Sequence, residues 1–338
     1  MKTFFFAILI ALLSGCASTL PAPGGGPHLD HSLTARSQSS RVKFIVLHYT
    51  VSDLPGSIKI LTEREVSSHY LISDAAAPLT YALVDETRQA NHAGVSSWKN
   101  YTLLNSSSVG IEIVNPGYKD TPEGRLWYPY KQSQIDELIA LLKQIVARHG
   151  IKPENILGHN EIAPQRKQDP GPLFPWSQLA AAGLIAWPDA ARVADARPGY
   201  ELQLPDMAWF QQRLALHGYA VPQTGVLDEA SRNVLIAFQM KFRPALFDGT
   251  PDGETAAILD ALTARAAARL PAPVPATAPM PMPNPAPALT ATPASALTAT
   301  PASAPTAPPA APPAPAALPA PAETPPPAPP AIPPPILE

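Results

Sequence analysis

The chain has 338 residues, room for two domains of ordinary size. Its 24 basic and 27 acidic side chains leave a net charge of −3, which excludes the strongly basic balance of a nucleic-acid-binding protein. There is one cysteine, Cys16, so no intrachain disulfide can form and the fold must rest on its core or on a metal.

Residues 1–15 read as a signal peptide. Lys2 gives a positive start, Phe4 to Leu13 is apolar, and the run is too short for a comfortable membrane span. It ends in Leu13-Ser14-Gly15-Cys16, which resembles the lipobox of bacterial lipoproteins. That resemblance implies cleavage before Cys16 and lipidation of its thiol, which would also account for the single cysteine. Several acyl chains would hold such a chain stably on a membrane. Ala17, where Asp would redirect sorting, resembles the outer-membrane pattern, so the expected location is the outer membrane, facing the periplasm. Residues 16–40 are Gly, Pro and Ser with few large apolar groups, a flexible tether in which His28 and His31 read as solvated.

A first domain is expected over residues 41–187. Arg41 to Tyr49 (RVKFIVLHY) is apolar on both faces, as a buried central strand is, and the period of two puts Val42, Phe44, Val46 and His48 on one face. His48 at its end is a hydrogen-bonded core histidine or a ligand. A helix is expected over Pro55 to Glu65, then strands over Ser67 to Ser73 and Leu79 to Asp85. In Val109 to Asn115 (VGIEIVN), Val109, Ile111 and Ile113 point one way, so Glu112 points the other. A carboxylate there bears a desolvation cost, and is either a salt-bridged structural group or a base whose pKa burial raises.

Lys131 to Gly150 is an amphipathic helix. Ile135, Leu138, Ile139, Leu142, Ile145 and Val146 make its apolar stripe, and Gly150 sits at the C-terminal cap position. Asn155 to Gly158 is a short strand that delivers the chain to GHNEIAPQRKQDPGP, Gly158 to Pro172. This Pro-punctuated stretch is expected to be neither helix nor strand. His159 and Asp169 meet only if it folds back, and a metal ion would reward that order.

Four motifs, FIVLHYT, VSSHYLI, SVGIEIVN and GHNEIAPQRKQDPGPLFPW, follow one another between Val42 and Trp176, with NHAGVSSW at Asn91 to Trp98. Together they resemble the zinc-dependent N-acetylmuramoyl-L-alanine amidases of the type-2 family. The resemblance implies an α/β fold, a mixed central β-sheet flanked by helices, with a groove over one zinc ion. It places the zinc ligands on His48, His159 and Asp169, leaving a fourth position open as catalytic zinc sites do. It puts the general base on Glu112 and an oxyanion-stabilising cation on Lys167. His92, Tyr70 and His69 are carried over as substrate-binding, His69 also as support, while Glu161 falls off the ligand positions and is expected to be solvated. The implied reaction is hydrolysis of the amide between N-acetylmuramic acid and L-alanine in peptidoglycan or muropeptides during wall turnover, by a monomer.

Residues 188–205 turn Ala- and Pro-rich and read as a linker. In residues 206–265, the fragments MAWFQQRL (Met207 to Leu214), Gly218-Tyr219, Gly225-Val226-Leu227-Asp228 and Asp252-Gly253-Glu254-Thr255 resemble a small all-α, three-helix peptidoglycan-binding domain. Residues 266–338 read as a disordered Pro/Ala-rich tail. From Pro271 on, 26 of 68 residues are Pro and ALTATPAS occurs twice in tandem, a composition that cannot bury a core. The competing readings are a non-catalytic peptidoglycan-binding lipoprotein linking outer membrane and wall, and a zinc peptidase cutting within the stem peptide. Chelation separates the first from an amidase, and the bond broken separates the second.

Overall fold

The computed structural model describes residues 29–268. The expected signal peptide, Cys16, His28 and the tail from residue 269 lie outside the described residues. Among those described, no helix is long and apolar enough to cross a membrane.

The strands come in chain order as β1 (Phe44–Tyr49), β2 (Tyr70–Ile72), β3 (Thr80–Ala82), β4 (Ser97–Trp98), β5 (Tyr101–Thr102), β6 (Ser108–Ile113), β7 (Tyr118–Thr121), β8 (Gly124–Trp127) and β9 (Ile156–Gly158). Five of them form a mixed sheet in the order β3-β2-β6-β1-β9, parallel except for the antiparallel edge strand β3. β4–β5 and β7–β8 are separate two-stranded ribbons. The helices are α1 (Leu54–Glu63), α2 (Gln132–His149), α3 (His159–Ile162), α4 (Trp176–Ala181), α5 (Ala190–Leu202), α6 (Met207–His217), α7 (Glu229–Phe242) and α8 (Gly253–Ala267).

The sheet buries both faces, which is why β1 and β6 read as nearly unbroken apolar runs. Ile45, Leu47, Val109, Ile111 and Ile113 pack on the Ile135–Leu138–Leu142–Ile145 stripe of α2. That helix ends as its sequence implies, on Gly150 at φ +64°. Val42 joins this layer and not the face of Phe44 and Val46, because the regular strand begins only at Phe44. Phe44 and Val46 face the other way, into a second layer with Trp98, Leu157 and Ile162.

The second layer carries the main departure from expectation. The same cluster contains Phe210 and Leu214 of α6, Val234, Phe238 and Phe242 of α7, and Leu259 of α8. The helical part therefore shares one core with the sheet. The stretch 188–205 is likewise no linker: residues 190–202 form α5, capped by the Asp189 carboxylate accepting from the Arg192 amide. Asp206, Asp228 and Asp252 cap α6, α7 and α8 in the same way. Each such cap contributes about 1 kcal/mol.

The helical part also repeats itself. Gln211 of α6 accepts from Gly225 N–H and donates to Val226 O and Ser231 Oγ. Gln239 of α7 accepts from Gly249 N–H and donates to Thr250 O and Thr255 Oγ1. Gly225 and Gly249 sit at φ +75° and +72°, so each buried glutamine clamps a left-handed turn ahead of the next capped helix.

Candidate metal centre

His48 and Glu112 lie directly opposite one another in the β1–β6 pairing, so their side chains leave the sheet on the same face. His159 opens α3 immediately after β9, the strand on the other side of β1. The stretch expected to be irregular thus holds one short helical turn. The chain then folds back, and the Asn160 amide donates to the Asp169 carbonyl at 2.9 Å, bringing the two ends of the loop together.

Three side-chain atoms converge there. His48 Nδ1 lies 2.9 Å from His159 Nδ1 and 2.9 Å from Asp169 Oδ2, and His159 Nδ1 lies 3.0 Å from Asp169 Oδ2. All three residues are buried, and among the described residues they are the one group of three or more donors close enough to share an ion.

The outer atoms of both imidazoles decide whether this triangle is an ordinary hydrogen-bond cluster. His159 Nε2 faces the Ala93 carbonyl at 3.2 Å, which can only accept, and Arg166 Nη2 at 3.3 Å, which can only donate. His48 Nε2 faces His92 Nδ1 at 3.0 Å, His92 Nε2 faces Ser108 Oγ at 3.1 Å, and the Ser108 hydroxyl donates to the Leu104 carbonyl at 2.6 Å. Read back from that terminal carbonyl, the relay puts a proton on Nε2 of both His92 and His48. Burial and the neighbouring His159 push His48 down to about 4 against the pull of Asp169, so its ring is neutral at pH 7. Burial alone would raise Asp169, but His159 and His48 hold it below the ordinary carboxylate range. The His48 Nδ1 lone pair therefore faces the ionised Asp169 oxygen with no His48 proton between them, and His159 Nδ1 closes the triangle. That arrangement is repulsive by itself and fits a divalent cation with nitrogen and oxygen donors, whose outer nitrogens are tied to carbonyl or imidazole partners.

These donors floor a cavity of about 680 Å³ that Glu112, His92 and Lys167 also line. Glu112 Oε2 is buried and without a hydrogen-bond partner. Burial, then the Asp169 charge, raise its proton affinity well above that of an ordinary carboxylate, with Lys167 opposing. Lys167 itself is exposed at the rim. Val51, Ile60, Leu61 and Val66 supply an apolar wall, and Asn233 reaches the rim from α7.

Of three further residues, His69 takes the supporting role of its two expected ones, and Tyr70 and Glu161 stand elsewhere than expected. His69 is fully buried, accepting from Gly110 N–H through Nδ1 and donating from Nε2 to the Arg88 carbonyl, so it supports β6 without reaching the cavity. Tyr70 pairs with Ile111 and faces the α2 side, where its hydroxyl donates to Glu86. Glu161 is not solvated: it is 1 % exposed and ion-paired to Lys241 of α7.

Other residues of the site were not singled out from the sequence. Asn105 Oδ1 accepts from the backbone N–H groups of both His92 and Ala93, fixing the loop that backs the imidazoles of His48 and His159. Gly110 leaves the space that the His92 ring occupies: a Cβ there would lie 2.4 Å from its Cγ. An isolated Gly inside a strand signals such a close approach, and Gly110 could have been found that way. Asn105 carries no comparable signal.

Residues 38–172 match the family described as N-acetylmuramoyl-L-alanine amidase, and residues 203–259 match a family of peptidoglycan binding domains. The N-acetylmuramoyl-L-alanine amidase AmiD of Escherichia coli is 43% identical over 270 residues, 78% of this chain and 98% of that protein. The structure of E. coli AmiD in complex with the substrate anhydro-N-acetylmuramic acid-L-Ala-D-γ-Glu-L-Lys is similar at TM-score 0.66, covering 71% of this chain and 95% of that one at 43% identity. Pseudomonas aeruginosa AmpDh3 in complex with anhydromuramic pentapeptide is similar at TM-score 0.67 and 41% identity, covering 71% and 98%.

Proposed function

The chain belongs to the N-acetylmuramoyl-L-alanine amidase family, and from that premise we propose that it is a zinc hydrolase cutting the amide between N-acetylmuramic acid and L-alanine in peptidoglycan or muropeptides during wall turnover. The observation that carries the reading is the buried convergence of His48, His159 and Asp169 with the unpartnered Glu112 Oε2 in the same cavity. Those three side chains would hold the zinc, which when bound supplies Lewis-acid polarisation of a carbonyl and acidifies a water.

The chain's own residues do the rest. Glu112 takes a proton as a water oxygen bonds to the lactyl carbonyl carbon, and returns it to the alanine nitrogen as the C–N bond breaks. Its lack of any other hydrogen-bond partner keeps it free for that shuttle. Lys167, exposed at the rim of the same cavity, offers its ammonium to the negative charge that builds on the carbonyl oxygen. His92 lines the same cavity and contributes through His48, whose outer nitrogen it holds. His69 and Tyr70 have no part in binding.

Glu112→Gln tests the reading directly. The variant keeps its zinc and loses about 10²–10⁴ in turnover, measured by mass spectrometry of digested muropeptides. Loss of zinc in that variant refutes the base assignment, and peptides cut within the stem refute the bond. The Leu13-Ser14-Gly15-Cys16 motif supports a chain lipid-anchored through Cys16 at the outer membrane, and acting as a monomer; the mass of its mature N-terminus checks the anchor.

A further inference from the structure

The loop that carries two of the three donors is held by α7 of the helical part, through a buried ion pair that the reaction does not use. Glu161, the third residue of α3, accepts at Oε2 from the Gly158 amide at 2.7 Å and from Lys241 Nζ at 2.8 Å. Lys241, on α7, is 5 % exposed; its ammonium also donates to the Ile156 carbonyl at 3.2 Å and lies 4.1 Å from the Trp176 ring centroid. One ammonium thus spans the β9–α3 corner, from the first carbonyl of β9 to the carboxylate just beyond His159. Farther along the loop, Asn233 of α7 donates to Gln165 Oε1 and Gln165 donates to the Ala230 carbonyl, both at 3.0 Å. Asn160 Nδ2 meets Met240 Sδ at 3.6 Å.

A single helical turn has no stability of its own, since nucleation costs more than one turn returns. α3 is four residues long, so the direction in which it presents His159 is set from outside. A fully buried carboxylate two residues from His159 is tolerable only when paired, and its partner comes from α7.

We propose that Lys241 is a positioning residue for the metal centre: by pairing with Glu161 it fixes α3 and hence the aim of His159 Nδ1, so metal affinity depends on a side chain of the helical part. The proposal rests on the reading of His48, His159 and Asp169 as the metal set. A purely structural Lys241 would, when replaced, lower the melting temperature and leave the metal affinity of the folded protein unchanged.

The test is zinc titration against a competing chelator on the full chain, as wild type, as Lys241→Met and as the double variant Glu161→Gln/Lys241→Met, with folding checked by circular dichroism. The double variant leaves no unpaired buried charge and keeps the experiment decisive if Lys241→Met alone does not fold. We expect one zinc per wild-type chain and a dissociation constant about 10–100-fold higher in the folded variants, the usual consequence of losing an outer support of a metal ligand. A folded variant that binds zinc within twofold of wild type overturns the proposal. A wild-type chain that binds no zinc instead overturns the metal assignment beneath it.

Discussion

Gly110→Ala perturbs the site without touching a ligand, a base or a charge. The added Cβ would stand 2.4, 2.6 and 2.7 Å from Cγ, Nδ1 and Cδ2 of His92, where ordinary contact begins at 3.4 Å. Relief requires the ring to retreat by about 1 Å, the gap between 2.4 and 3.4 Å. The ring is held by His48 Nε2 at 3.0 Å and Ser108 Oγ at 3.1 Å, so a retreat of that size breaks at least one link of the relay that keeps the proton off His48 Nδ1. Overpacking of this kind costs about 1–3 kcal/mol of stability. Loss of the ligand's outer partner costs a further 10–100-fold in metal affinity, about 1.4–2.7 kcal/mol of binding. Chelator competition and thermal melting with and without zinc measure the two separately. Wild-type zinc affinity in Gly110→Ala would mean that His92 does not orient His48, and the relay argument would fall with it.

Acid should act on the fold in two windows that mutation can separate. Burial, with Lys241 and Lys99 nearby, pushes His217 down to about 3, so the unfolded chain takes up a proton below about 6.5 that the folded chain refuses. Stability is then complete above about pH 6.5 and falls toward pH 3 by up to about 1.4 kcal/mol per unit; His217→Phe should flatten this slope in urea titrations, and a slope that persists would clear His217 of the effect. Burial pushes Glu86 up, but hydrogen bonds from Arg148, Tyr70 and His149 outweigh it and hold the carboxyl at about 2. Its contribution is present above about pH 4.5 and lost between there and about 2, roughly 1–2 kcal/mol once screening at the half-exposed Arg148 is allowed for. Glu86→Gln should remove that lower window alone, and an unchanged acid midpoint would count against the network.

What the sequence disclosed about the site follows how far apart the interacting residues lie. His48 and Glu112 were legible because a polar residue in an apolar strand stands out against the period of two. His159 and Asp169 were legible because their motif is long and rare. Glu161 was misjudged because its partner is 80 positions away on another helix, and an ion pair between remote elements leaves no local pattern. Tyr70 went wrong for a related reason. It follows His69 in a recognisable motif, but only the β2–β6 register, which sets Tyr70 against Ile111, decides that it faces α2. The stretch 188–205 was read as a linker from its Ala and Pro content, yet Pro198 is accommodated within α5 and Asp189 caps the helix in front of it.

The shared core changes how the helical part should be understood. Two family matches at 38–172 and 203–259 suggest a catalytic domain with a detachable wall-binding module. But Phe44, Val46 and Trp98 of the amidase part share one buried cluster with Phe210, Phe238 and Phe242 of the helical part, Trp98 packs edge-on against Tyr219, and the Gly218 carbonyl accepts from the Lys99 amide at 2.7 Å. Excising residues 203–259 would bare that apolar face and leave Glu161, buried in the intact chain, without its partner Lys241. Activity lost on such a deletion would report on the collapse of the layer beneath His48 and His159. It would not measure glycan binding by the helices. Point substitutions on the outer surface of α5 and α8, away from the shared core, are the variants that can isolate that contribution.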